Sequence, residues 1–268
     1  MVKTAWSSLG AVVLVLGWTA GASAGWVIDQ TVKGGGDARQ QVVVQSNRMK
    51  TVVLEPDGKP GAAFIVDLNN DTITQVDYGE KIYATTPIRD YVQAVTAMQQ
   101  VASRQMAEML KNVPPEHRKS AEETMRQQMS ALPGTQECRE PKVELRATGQ
   151  TTTVAGFPAT RHDVIADGKP ELQVWVARSL TAWREIEPQK LQRFASEMTK
   201  LAACGSGARG LGGDAAWRVA SEGYPVRTVD PAGATLEVDK AVSRAVPAAE
   251  FQPPAGFARK TFEELMGR

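Results

Sequence analysis

The chain is poor in residues that build metal centres and covalent catalytic sites. Its 268 residues include two cysteines and two histidines. His117 and His162 are far apart in the sequence, whereas protein zinc sites usually combine several His, Cys or carboxylate ligands. No Gly-x-Ser-x-Gly elbow is present, and no pair of carboxylates stands out on one predicted element. We therefore predict a protein that is not an enzyme and holds no metal or cofactor.

The chain also has no excess of positive or negative charge. The chain has 31 basic and 30 acidic residues, a formal net charge of +1. Nucleic-acid binding depends on a basic surface that displaces counterions, so nucleic acid is not an expected partner. Residues 205–210 match the letters of a dinucleotide loop, but they follow a predicted helix instead of a strand. We interpret them as a linker.

Long apolar runs are scarce and lie near the start of the chain. One run, from Ala11 to Trp18, follows Lys3 and is shorter than the roughly 20 residues that span a bilayer. The small residues that follow predict a signal peptide over residues 1–24, cleaved after Ala24. Since no second run of spanning length follows, we expect the mature chain to have no transmembrane segment. We expect it to be secreted, or periplasmic where an outer membrane exists.

The cysteine count bears on that compartment. Both cysteines, Cys138 and Cys204, lie in the predicted mature chain. An even count in an oxidising compartment is compatible with one disulfide. Two free buried thiols are the alternative, and the sequence leaves both open.

The hydrophobic pattern predicts an α+β fold. Residues 26–86 form short β-branched runs joined by turns, which is typical of an antiparallel meander. Apolar residues at steps of three and four predict a helix over 88–112 and another over 116–132. Strands return between 142 and 176, a two-piece helix begins at Ser179, and residues 224–242 predict a final hairpin. We expect a curved antiparallel sheet with helices across one face.

Several segments resemble an uncharacterised family of exported bacterial proteins. Residues 66–83 are similar to its first half, residues 153–177 to its second half, and 223–226 with 251–257 to its end. Together they cover most of residues 38–258. The family looks related to periplasmic lipoprotein carriers of the LolA and LppX type. The resemblance implies a half-open β-barrel whose helices lie across the concave face above an apolar cavity.

The resemblance also predicts the domain organisation. The signal peptide is followed by one half-barrel domain over residues 25–258, with a helical insertion at 88–132 and a tail at 259–268. The family often has cysteine where this chain has Ala159. It has no established activity, so the resemblance assigns no functional residue.

Methionines concentrate in the predicted helical insertion. A flexible thioether face can adapt to acyl chains of varied shape, although such residues also fill ordinary cores or, with other soft ligands, bind Cu(I). The predicted ligand cavity is lined by Val95, Met98, Met106, Met109, Met125 and Trp175.

Two functions remain open from the sequence. The first is a periplasmic carrier that shelters an apolar ligand, a lipid or a lipoprotein acyl chain. The second is a structural or envelope-stress module with a packed core that binds an envelope protein.

Overall fold

Short β-branched segments and tight turns form the first half of the sheet. The computed structural model describes residues 24–34, 37–111, 142–203, 219 and 221–267. The first six strands are β1 (Ala24–Lys33), β2 (Ala38–Gln45), β3 (Arg48–Leu54), β4 (Pro60–Asp67), β5 (Thr72–Asp77) and β6 (Ile82–Pro87). Each pairs antiparallel with the next. The predicted meander over 26–86 is confirmed.

Helices and strands alternate in the second half. Helix α1 is followed by three strands, a 3₁₀ helix, α2, two strands, a second 3₁₀ helix, a short strand and α3. Their bounds are α1 Ile88–Lys111, β7 Val143–Val154, β8 Phe157–Ala166, β9 Lys169–Ala177, 3₁₀ Thr181–Glu185, α2 Pro188–Ala203, β10 Tyr224–Val229, β11 Thr235–Ala245, 3₁₀ Ala248–Phe251, β12 Ala258–Arg259 and α3 Phe262–Met266.

The strands form one open sheet in the order β12-β6-β5-β4-β3-β2-β1-β11-β10-β9-β8-β7. All neighbours are antiparallel except β12, which runs parallel to β6. Strand β1 pairs with β11 over their whole lengths, so this contact joins the two halves of the sheet. The predicted fold is confirmed: a large, curved, unclosed antiparallel sheet with few helices.

The main apolar core lies between the concave face and the helices. Strand residues from both halves of the sheet share one cluster with Ile88 and Val92 of α1 and with Leu180 and Ile186, which flank the first 3₁₀ helix. Helix α2 adds Phe194 to the cluster's border. Side-chain burial decreases along α1, where Met98 is 37% exposed and Val101 is 52% exposed.

The convex face carries a second core that the sequence pattern does not predict. After β11 the chain crosses this face as an irregular segment with one 3₁₀ turn, residues 246–257, which we call the C-terminal strap. Its Val246 and Phe251 are buried against the outward-facing apolar residues of β1–β5. Lys50 Nζ donates to Glu250 Oε1 at 2.8 Å, which fixes the strap in the middle of the face. The strap delivers β12 to the edge of β6.

Several predicted features lie outside the described residues. These are the signal peptide up to residue 23, the helix at 116–132, and the Cys138–Cys204 pair. Among the helices that the structure describes, none combines the length and apolarity needed to cross a membrane.

Candidate functional site

A half-open groove of about 1050 Å³ lies on the concave face, beside the turn that joins β3 to β4. Three adjacent strands, the turn and the end of the chain contribute to it. Its lining residues are Thr51, Val53, Glu55, Pro56, Asp57, Lys59, Pro60, Gly61, Ala62, Ala63, Phe64, Gln75, Val76, Asp77, Tyr78, Gly79 and Leu265.

The register of β3, β4 and β5 builds the floor of this groove. Thr51 lies opposite Phe64, which in turn lies opposite Gln75. Val53 lies opposite Ala62 in the next row. Since alternate residues of a strand share a face, these two rows point to the same side. Val53, Ala62 and Phe64 therefore form an apolar strip of the floor beside the polar side chains of Thr51 and Gln75, and Val53 keeps 44% of its surface exposed there.

An aromatic trio holds α3 beside the floor. The ring of Phe64 meets Tyr91 of α1 edge to face, with centroids 5.9 Å apart. Tyr91 meets the buried Phe262 of α3 in the same way at 5.3 Å, and burial raises the pKa of the Tyr91 hydroxyl. Thr261 and Glu264 form a reciprocal capping box at the start of α3. This anchoring places Leu265 in the groove wall.

The rim of the groove is acidic. Asp57 Oδ2 accepts a bond from Lys59 Nζ at 2.6 Å, and this bond lowers the pKa of the Asp57 carboxyl. Asp77 Oδ1 accepts the backbone N–H of residue 80 at 2.9 Å. The carboxylate of Glu55 lies so close over Gly61 that a Cβ there would overlap it. The lining residues carry three carboxylates and one ammonium, and the guanidinium of Arg39 donates to the Pro56 carbonyl at 3.4 Å beside the same turn.

Gln75 places a hydrogen-bond acceptor in the floor. Its Oε1 is buried and has no hydrogen-bond partner within the described ranges. Its cross-strand neighbours are Phe64 and Ala84, neither of which offers a side-chain donor. A buried carbonyl without a partner costs stability unless a ligand or water satisfies it. The oxygen has almost no exposed surface, so a donor in the groove would bond it only after the Gln75 side chain turns towards the groove.

Three of the six residues predicted to line a cavity lie outside this groove. Val95 is half-buried and Met98 exposed on α1, while Trp175 is half-buried on β9. None of these three lines the groove. Met106 and Met109 lie on α1, but their side chains are outside the described part of the structure, as is the whole of Met125. The predicted cavity beneath the methionine-bearing helices stays a prediction.

Trp175 belongs to a charged ladder across three strands. The guanidinium carbons of Arg161 and Arg227 each lie 5.6 Å from its ring centroid. Arg161 Nε donates to Asp163 Oδ1 at 2.8 Å, and Arg227 pairs with Glu237. Both cations are paired with carboxylates, so the ladder joins β8, β9 and β10 and offers no evident ligand site.

Asn47 is the centre of a network that attaches α2 to the hairpin turns. Its Oδ1 accepts the backbone N–H of Glu187 at 2.7 Å, and its Nδ2 donates to Glu187 Oε1 at 2.8 Å and to Asn69 Oδ1 at 3.1 Å. Lys190 Nζ donates to Asn69 Oδ1 at 2.7 Å. The Asn47 bond, followed by Lys190, lowers the pKa of Glu187. The network orients a helix and leaves no open position for chemistry.

His162 lies at a smaller cavity of about 190 Å³. Its neighbours there include Arg178 and Glu222, which form a salt bridge with each other. A search of the described residues finds no group of three or more His, Cys, Asp or Glu that could hold a metal ion. The groove on β3–β5 is thus the candidate site.

Comparison with known proteins gives likeness to solved structures only. No family model and no curated protein matches the chain. An uncharacterised conserved protein of Thermus thermophilus is 10% identical at a TM-score of 0.44, with 89% of this chain and 91% of that chain covered. PNGF-II is 9% identical at a TM-score of 0.41, with 90% and 32% covered.

A third likeness is to the MucA/MucB complex of Pseudomonas aeruginosa. It is 12% identical at a TM-score of 0.33, with 88% of this chain and 56% of that chain covered. This protein therefore spans about a third of the PNGF-II chain and just over half of the matched chain in the MucA/MucB complex. At such low identity and similarity no function passes from these proteins. The half-open barrel that the family resemblance implies is confirmed by the sheet itself, while membership of the family stays a prediction.

Proposed function

We propose that this protein is a non-enzymatic binding or carrier protein of the periplasm that holds an apolar ligand, a lipid or an acyl chain, in the concave groove. The observation that supports it most is the floor. Val53, Ala62 and Phe64 present apolar surface on the concave side, next to a helical cover that ends at Leu265. A surface of this kind gains free energy when a ligand removes it from water.

The groove is of a size that suits one chain. Ligand sites commonly have volumes of about 300–1000 Å³ and combine apolar walls with few polar groups. The groove volume of about 1050 Å³ lies just above that range. Because one side is open to solvent, a chain can enter and leave without unfolding of the sheet. A carrier needs such reversible access.

A chain-length series tests the proposal. Each buried methylene is worth about 0.8 kcal/mol, or roughly a four-fold gain in affinity. We expect decanol, undecanol and dodecanol to bind at one site per protein molecule in isothermal titration calorimetry. The affinity should rise by up to this factor with each added carbon. Neutral alcohols isolate the apolar contribution from that of a head group.

Two matched variants locate the binding site. Val53→Asp puts a carboxylate on the groove floor and should reduce dodecanol binding at least ten-fold, because the charge must be desolvated beside the chain. Val242→Asp is the control, since Val242 is similarly exposed at 37% on β11, outside the groove. Absence of saturable alcohol binding, or equal binding by the two variants, would contradict the proposal.

Protein binding is the second candidate. Strand β7 has 12 residues and stands at one end of the described sheet, where it pairs with β8 on one side. An extended segment of another protein can add to such an edge through backbone hydrogen bonds. If the protein binds none of the alcohols, this second function is favoured.

A further inference from the structure

The groove has an electrostatic asymmetry that bears on which head group it accepts; this inference rests on the proposed function. Glu55, Asp57 and Asp77 all line it, and the single cation, Lys59, is already paired with Asp57. Two carboxylates therefore remain without a cation among the lining residues. A carboxylate or phosphate head placed here would meet like charge, whereas an ammonium would meet opposite charge.

The floor adds a second preference in the same direction. Gln75 presents a buried carbonyl oxygen that lacks a donor in the described structure. It shares the concave face with Asp77, two residues further along β5. An acceptor oxygen and a carboxylate on one face favour a head that donates hydrogen bonds. An ammonium donates three and accepts none, whereas an ionised carboxylate only accepts.

We propose that the groove selects amphiphiles with a primary ammonium head over carboxylates of equal chain length. The apolar chain lies on the Val53–Phe64 floor, and the head lies at the acidic rim between Gln75 and Asp77. Selection arises from charge and donor count, so a neutral alcohol of the same length is intermediate. The preference weakens with added salt, because the rim carboxylates lie near solvent.

The expected size follows from charges near a protein surface. One charge pair at a few ångströms contributes on the order of 1 kcal/mol in water and several times more at an effective dielectric constant of 20. We therefore expect dodecylamine to bind about ten-fold more tightly than dodecanol, and dodecanoate about ten-fold more weakly, at low salt.

The test is calorimetric titration of the mature chain with these three probes below their micelle concentrations at pH 7. At this pH the amine is charged and the fatty acid is ionised. Repeating the series with added sodium chloride should narrow the spread. Dodecanol reports on the proposed function alone, and the ratio of amine to carboxylate reports on head-group selection.

Variants assign the selection to the rim. The double variant Glu55→Gln with Asp77→Asn keeps side-chain size but removes both charges, so it should bring the amine-to-carboxylate ratio close to one. Glu144→Gln is the control, because Glu144 is an exposed acid on β7 that pairs with Arg146. Thermal melts verify that each variant is folded.

The outcomes separate the two proposals. Tight dodecanol binding with no preference among the three head groups, or with dodecanoate tightest, overturns the selection and leaves the binding function standing. Selection that survives the double variant also overturns it. If none of the three probes binds, the proposed function itself fails.

Discussion

Replacing Asn47 by alanine should destabilise the fold more than any other change in the hairpin turns. Asn47 follows β2, is 9% exposed and has a φ of +64°. Asparagine tolerates this left-handed backbone better than alanine does. Its side chain also holds the start of α2 through the Glu187 backbone and reaches the next turn through Asn69.

The magnitude can be worked out from these contacts. Loss of the bond to Asn69 costs about 1 kcal/mol, and the backbone N–H of Glu187, left without its acceptor, costs about 1 kcal/mol more. Forcing alanine into the left-handed region adds about 1–2 kcal/mol. We therefore expect Asn47→Ala to lower the free energy of unfolding by about 3–4 kcal/mol. Asn47→Gly avoids the backbone strain and should lose about 2 kcal/mol.

Urea unfolding followed by circular dichroism measures both values. Asn70→Ala is the matched control, because Asn70 lies in the neighbouring exposed turn and its side chain bonds Asp67 alone; it should cost less than about 0.5 kcal/mol. The reasoning is refuted if Asn47→Ala is no more destabilising than Asn70→Ala. It is refuted in part if alanine and glycine are equivalent, since the strain contribution would then be absent.

Three further predictions concern other parts of the sheet. Gly223→Ala should cost about 2–3 kcal/mol by thermal melt, because φ is +148° and the new Cβ would lie 2.6 Å from a carbonyl oxygen; Gly168→Ala, which meets nothing within 4 Å, should cost about 1 kcal/mol. Trp175→Leu removes two cation–π contacts and should lower stability by about 2 kcal/mol in urea titration; an unchanged midpoint would argue against the ladder. Hydrogen bonds from Asn47 and Lys190 lower the pKa of the Glu187 carboxyl, so its contribution to stability is present at neutral pH and is lost as pH falls through the lowered pKa; Glu187→Gln should therefore shift the urea midpoint more at pH 7 than at acidic pH.

Local sequence signals predict many of the turns and helix starts of the fold. The Asp167-Gly168 pair predicts a tight hairpin, and both residues take positive φ, +47° and +80°, between β8 and β9. Pro188 predicts the start of a second helical piece, and α2 begins there. These successes share a cause, because turn chemistry and helix starts are decided by residues close in sequence.

The pairing of strands that are distant in the sequence could not be predicted from local signals. Nothing local indicates that β1 pairs with β11, since the two strands come from opposite ends of the chain. The C-terminal strap has the composition of a loop, and only contact with the convex face buries Phe251. Strand β7 runs as one strand from Val143 to Val154 because it pairs with β8, with an irregularity between Ala147 and Thr151.

The candidate site was missed for a related reason. The methionines of α1 are close together in the sequence, so the sequence pattern predicts a ligand cavity at the helices. The groove instead depends on the exposure of Val53, and its neighbour Val52 is 6% exposed on the opposite face of the same strand. Two adjacent valines in β3 predict apolar contacts on both faces of the sheet. They do not reveal which face stays open, because that depends on where the helices end.

The geometry of a wide sheet explains why a groove exists at all. Twelve strands spaced by about 4.8 Å span roughly 50 Å along the curve, whereas a packed helix covers about 10 Å. Helices α1 and α2 therefore cover only part of the concave face, and the short α3 extends the cover only as far as Leu265. An apolar floor beside the end of that cover must either meet solvent or take a ligand. Since Phe64 continues from the core into the groove, a chain bound there would extend the core without moving any strand.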